Sequence, residues 1–131
     1  MIADTSAWVE YLRATRSPSH LRLVDQIETG GPLFVPELVV MEILVGASSD
    51  RSERQLRTLL HTFDVVTLAP LVDTELAARL QRRCRAAGRP VRNMVDCLIA
   101  AMAIRLGQPV LHADRDFEAL AAATELEVVL T

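Results

Sequence analysis

Short apolar runs alternate along the chain with longer stretches whose apolar positions recur at helical spacing. The opening run MIAD predicts a first strand ending in Asp4, and SAWVEYLRA predicts a helix with Thr5 or Ser6 as its N-cap. Ser17-Pro18 opens a second predicted helix, which runs to about Thr29 and is closed by Gly30-Gly31-Pro32. LFV predicts a short strand. PELVVMEILVG predicts a helix, because Pro suits the first helical position and Gly the residue just past the end. In DRSERQLRTLLHTF the residues Leu56, Leu59, Leu60 and Phe63 fall on one side of a helix, and VVTL predicts the strand after it. Asp73 is expected to cap a helix running through Ala87, with Gly88 as its stop. RNMVDCLIAAMAIRLG predicts another helix, apolar along most of its length. VLHAD predicts a strand ending in Asp114, FEALAAA a short helix and EVVL a last strand. Strands alternating with helices imply an α/β fold with a mostly parallel sheet covered on both faces.

One run breaks its own pattern. In LVVMEILV, residues 38–45, every residue but Glu42 is apolar. At 3.6 residues per turn the apolar side chains surround the helix, which predicts a buried one. An ionised carboxylate is costly to bury unless it is paired or binds a metal. Glu42 therefore needs a partner.

Other acids stand at similar places. Asp4 and Asp114 each end a predicted strand, and ligands of open parallel sheets bind outside the carboxyl ends of strands. Asp96 lies near the start of an apolar helix, and Asp116 is two residues past Asp114. Each acid has an ordinary structural reading. Asp96 suits the third position of a helix capped by Asn93, where the helix dipole favours it. Asp4 and Asp114 could each begin a turn, and Glu42 could pair with an arginine. Needing all of these at once is the less economical account. Two carboxylates ~4 Å apart repel by roughly 4 kcal/mol at an effective dielectric of about 20, so a cluster takes up protons or binds a cation. Oxygen ligands with no convergent Cys or His set suit Mg²⁺ or Mn²⁺ rather than Zn²⁺. Such ions serve phosphate chemistry by activating water and stabilising the leaving oxygen.

Composition narrows the field. Half of the 131 residues are hydrophobic and 24% are charged, which suits one globular domain over residues 1–131. The longest charge-free apolar stretches fall short of a membrane span. Asp4 comes early and no basic residue precedes Arg13, unlike a secretory signal, so a cytoplasmic protein is expected. Cys84 and Cys97 form no zinc or CxxC spacing and are expected to be reduced, with Cys97 in the core. A net charge of −3 excludes a chain coated in positive charge but not a local basic patch. All 14 basic residues are Arg, which excludes any mechanism that needs a lysine.

Four segments in order, MIADTSAWVEYL, PELVVMEILVG, VRNMVDCLIAAMA and VLHADRDFEAL, resemble PIN-domain ribonucleases, and more narrowly the VapC toxins of bacterial VapBC toxin–antitoxin pairs. The resemblance implies a PIN-like α/β/α sandwich. It places the family's acids on Asp4, Glu42, Asp96 and Asp114, with Asp116 matching a further acid present in many members. The family's hydroxyl after the first aspartate falls on Thr5 or Ser6, where it can hold a metal-bound water or a phosphate. The implied activity is Mg²⁺- or Mn²⁺-dependent endonucleolytic cleavage of RNA. Asp4, Asp96 and Asp114 would hold the ion, and Glu42 would reach it directly or through water. VapC-like proteins also resemble one another in forming homodimers and in binding a VapB antitoxin tail in an apolar groove.

Rival readings are weaker. Phosphoacceptor receiver domains and haloacid-dehalogenase-like phosphatases also gather acids around Mg²⁺ but normally use a lysine, and this chain has none. A catalytically silent PIN-like binding module conflicts with the full acid set. A structure-specific DNA nuclease usually needs further helical elements to grip a duplex. Six arginines lie between Arg79 and Arg92, and Arg79, Arg82 and Arg83 share a helical face. With Arg92 they are candidates for holding RNA phosphates; a solvated face with favourable charge near a helix C-terminus is the ordinary reading. Aromatics at 4% predict little base stacking. His112 is expected to be a structural hydrogen-bond partner, and Trp8 and Tyr11 to belong to the core or an interface.

Overall fold

The computed structural model describes residues 1–131. Strand β1 (Ile2–Ala3) leads through helices α1 (Thr5–Leu12) and α2 (Pro18–Glu28) to β2 (Phe34–Pro36). Helices α3 (Glu37–Val45) and α4 (Asp50–Leu60) lead on to β3 (Asp64–Val66). Helices α5 (Val72–Ala86) and α6 (Met94–Leu106) precede β4 (Val110–Leu111), and α7 (Arg115–Ala123) follows. The sheet has the order β3-β2-β1-β4, and every pairing is parallel. The predicted last strand shrinks to a single parallel bridge between Val110 and Val128.

The chain moves one way from β1 to β3, then crosses back to place β4 on the other side of β1. Right-handed crossovers put helices from opposite directions on opposite faces. Accordingly α1 packs on α2 and α3, and α3 on α4, while α5, α6 and α7 pack on one another. The result is the expected α/β/α sandwich. Its direction of winding reverses between β1 and β4, the place where sheets of this kind bind ligands at their strand ends.

Both faces of the sheet are covered, so β1, β2 and β4 are apolar rather than alternating, and only the edge strand β3 carries an exposed acid, Asp64. Ile2, Ala3, Val35, Val110 and Leu111 are fully buried. Trp8 packs edge-on against Tyr11, with ring centroids 5.5 Å apart, and is itself fully buried, as is Cys97. Leu56, Leu59, Leu60 and Phe63 all turn toward the core, as their spacing predicts.

Several boundaries differ from the sequence reading. Asp4 itself caps α1, accepting from the Ser6 amide at 3.0 Å, so neither Thr5 nor Ser6 is the N-cap. Strand β4 ends at Leu111, and Asp114 caps α7 instead of closing a strand. Asp73 does not cap α5. Leu71 precedes that helix at φ +64°, and Asp73 lies inside the first turn, buried against Arg105. The largest correction concerns α3. Only Val39 and Ile43 of that helix are buried, while Met41 is 50% exposed and Val45 81%. An all-round apolar helix here has one face in the core and another in solvent.

Candidate active site

The switch between β1 and β4 delivers the acids together. β1 turns at Asp4 directly into α1, and β4 reaches Asp114 after a short turn. The two segments are tied by backbone and side chain. The Asp4 amide donates to the Leu111 carbonyl at 2.9 Å. Ser6 Oγ donates to Asp4 Oδ2 at 2.7 Å and accepts from the Ala113 amide at 2.9 Å. Asp96 enters from α6, where it is the third residue of a helix capped by Asn93.

Carboxylate oxygens of Asp96, Asp114 and Asp116 lie within 4.8 Å of one another. Asp4 and Glu42 belong to the same field. Burial pushes the Asp96 carboxyl up to about 8, and the charges of Asp4, Asp114, Asp116 and Glu42 add to the rise. Burial raises Asp4 as well, against hydrogen bonds from Ser6 and Thr5, and Glu42 adds repulsion. Burial and neighbouring negative charge both favour the protonated form of a carboxyl.

Two buried oxygens have no hydrogen-bond partner within the chain. Asp4 and Asp96 are 3% and 5% exposed. Their Oδ1 and Oδ2 atoms, respectively, are the only buried side-chain oxygens without a hydrogen-bond partner. Buried polar atoms are normally paired, and each exception needs a physical reason. Unpaired oxygens from two helix starts, beside two further carboxylates, suit a hard divalent cation. Sulfur and imidazole are absent from the group.

The other predicted residues take definite positions. Glu42 is half-buried, finds no arginine, and accepts from Thr5 Oγ1 at 2.8 Å. Both hydroxyls after Asp4 are therefore engaged with acids: Thr5 with Glu42, Ser6 with Asp4. Asp116 is 5% exposed, and its two oxygens accept from the Arg92 Nε and the Arg92 amide, both at 3.3 Å. Arg92 Nη2 reaches Asp114 Oδ1 at 3.4 Å. Arg79, Arg82 and Arg83 share an exposed face of α5, and Arg83 pairs with Glu125 rather than with any site acid. Of the expected arginines only Arg92 borders the acids, and with Arg89 and Arg115 it lines a cleft that includes Asp116. Arg89 and Arg115 went unnoticed in the sequence because neither sits on a predicted helical face with the others. His112 has the structural role expected of it: Nδ1 accepts from the Asp114 amide at 3.2 Å, and Nε2 lies 3.2 Å from Glu118.

Comparison with known proteins identifies the family and the fold. Residues 1–123 match the family model described as PIN domain. Ribonuclease VapC11 of Mycobacterium tuberculosis is 38% identical over 128 residues, covering 97% of this chain and 96% of that protein. Among solved structures, VapBC2 from Rickettsia felis, bound to a DNA fragment from its promoter, aligns with a TM-score of 0.73 at 16% identity. That alignment covers 98% of this chain and 96% of the other. M. tuberculosis VapC20, a toxin that cleaves the sarcin–ricin loop, aligns with a TM-score of 0.68 at 18% identity, over 96% and 98% of the two chains.

Proposed function

The chain belongs to the PIN domain family, and from that premise we propose that it is a VapC-type endoribonuclease toxin, one domain over residues 1–131, neutralised by a VapB-like antitoxin. The observation that carries the chemistry is the pair of buried, unpaired oxygens on Asp4 and Asp96, with Asp96 converging on Asp114 and Asp116 and the Asp4 charge raising the Asp96 carboxyl. Asp4, Asp96 and Asp114 would hold Mg²⁺ or Mn²⁺. A bound ion of this kind acidifies water and neutralises charge on a phosphate. Glu42 is oriented by Thr5 through one oxygen, and its other oxygen accepts no hydrogen bond. That free oxygen would orient the attacking water and take its proton. Arg89, Arg92 and Arg115 border the acids and suit the RNA backbone, since guanidinium groups match phosphate oxygens. Arg79, Arg82 and Arg83 would extend that track along α5.

The apolar face left open on α3 supports the antitoxin part of the reading. Val9, Leu12, Ile43 and Leu56 line a groove between α1, α3 and α4, with Glu42 at its edge. An amphipathic tail laid there would cover exposed Leu12. Homodimer formation is proposed from the resemblance to VapC toxins. No helix is long and apolar enough to cross a membrane.

The test is incubation of the purified protein with a panel of tRNA, rRNA fragments and mRNA, in Mg²⁺ and in EDTA, with mapped ends. Cleavage at defined positions in Mg²⁺ and none in EDTA is expected. Cleavage that persists in EDTA would overturn the cation, and RNA binding without cleavage would favour a silent binding module. A second expected result concerns Ser6, which donates to Asp4 Oδ2 through both its amide and its hydroxyl. Ser6→Ala should lower cleavage by ~10–100-fold, the usual effect of losing a group that orients a metal ligand. Ser6→Thr should recover most of it, and initial rates at saturating Mg²⁺ make the comparison.

A further inference from the structure

Two acids of the converging trio already hold a cation, and it comes from the chain itself. Arg92 binds Asp116 through Nε and through its own amide, and it binds Asp114 through Nη2. Its backbone is fixed from the neighbouring residue. Val91 is buried, and its amide and carbonyl both bond to the Gln81 side chain, at 3.0 and 2.7 Å. Its side chain is looser, 59% exposed, with contacts of 3.3 and 3.4 Å. These lie past the usual range of N–H···O distances. The Arg105–Asp73 pair in the same molecule closes to 2.8 and 3.0 Å. Arg92 is thus an anchored stem with a weakly held charged head, resting on the edge of the acid cluster.

The division of oxygens is informative. Both oxygens of Asp116 are used by Arg92, and Asp114 Oδ1 is shared between Arg92 and the Asp116 amide. Asp4 Oδ1 and Asp96 Oδ2, by contrast, are held by nothing. We propose that Arg92 is an internal counter-cation of the site. It offsets the repulsion among Asp96, Asp114 and Asp116 before the divalent cation arrives, competes with that cation, and on yielding turns its guanidinium to an RNA phosphate. Asp116 is then chiefly the bracket for Arg92 rather than a metal ligand. The proposal rests on the metal-dependent ribonuclease reading above.

The experiment is calorimetric titration of the intact protein with Mn²⁺, comparing wild type with Arg92→Gln and Arg92→Lys. Removing one positive charge beside a divalent ion should tighten Mn²⁺ binding roughly tenfold in Arg92→Gln, and Arg92→Lys, which keeps the charge, should stay near wild type. In saturating Mn²⁺, Arg92→Gln should raise KM for RNA and reduce the salt dependence by about one phosphate contact. Thermal unfolding verifies that the variants are folded. Wild-type binding with Arg92→Gln equal or weaker overturns this proposal alone, and so does an unchanged KM. Wild type that binds no Mn²⁺ overturns the metal reading and this proposal with it.

Discussion

Asp96→Asn is expected to abolish RNA cleavage while making the cation-free protein more stable at neutral pH. A bound ion supplies several kcal/mol of transition-state stabilisation. At 1.36 kcal/mol per tenfold in rate, losing a ligand should cost about three orders of magnitude or more. The stability change has the opposite sign because burial and four neighbouring acids push the Asp96 carboxyl up to about 8. In the unfolded chain an aspartate loses its proton near pH ~4. Between about pH 4 and 8 the folded state therefore holds a proton that the unfolded state has released, and wild-type stability falls as pH rises through that window. Asn carries no such proton. The stability gap between variant and wild type should open from pH 4 toward pH 8 in EDTA, and close when Mg²⁺ is added. Thermal unfolding across that range, with and without Mg²⁺, measures it. A marked destabilisation of Asp96→Asn with cleavage intact would leave Asp96 as an ordinary helix-start acid. Glu42→Gln should lose activity too, with little cost in stability.

The acids themselves were legible because charge is conspicuous in apolar sequence. Asp96 stands at the head of a helix buried along most of its length, and Asp4 directly follows fully buried Ile2 and Ala3. What their sequence context does not encode is pairing. Ser6, Asp4 and Ala113 meet across more than a hundred positions of chain, and only the parallel register of β1 with β4 brings them into contact. Arg92 was visible as one arginine in a basic run, yet its distinction from Arg79 and Arg82 lies in the turn that leads into α6, not in its spacing. The α3 helix misled for a different reason. Periodicity reports how apolar a face is, not whether the chain's own core or solvent lies against it, and Met41 and Val45 are apolar without being covered. Boundary differences at Asp4 and Asp114 share one cause: each carboxylate accepts from the amide two residues on and so caps the following helix, Asp4 directly after β1 and Asp114 three residues past the end of β4.

Asp73→Ala is expected to be the most destabilising substitution among the acids, without direct effect on the chemistry. Asp73 is fully buried, like the site acids, but here the chain supplies a dedicated cation. Burial alone would raise its carboxyl. Hydrogen bonds from Arg105 and the Ala69 amide, together with the Arg105 charge, outweigh that and hold it below the ordinary carboxylate range. Arg105 Nε and Nη2 grip the two oxygens at 2.8 and 3.0 Å, and Nη2 also reaches the Thr67 carbonyl at 3.2 Å. The pair thereby fastens α6 to the turn that starts α5, next to Leu71 at φ +64°, where the Val72 amide donates to the Pro70 carbonyl at 2.8 Å. Removing one partner of a buried pair costs about 3–5 kcal/mol. Arg105 is 30% exposed and can recover some hydration, so the low end, about 3 kcal/mol, is expected. For a chain of this size that corresponds to a fall in Tm of roughly 10 °C. Because the folded carboxyl is depressed, wild type keeps this stabilisation above the unfolded pKa and loses it as pH falls below about 4. The gap between Asp73→Ala and wild type should accordingly narrow in acid, whereas the gap for Asp96→Asn widens toward alkaline pH. Cleavage by the folded fraction of Asp73→Ala should match wild type at temperatures well below its transition. Wild-type Tm in Asp73→Ala would show that the Arg105 pair contributes nothing net.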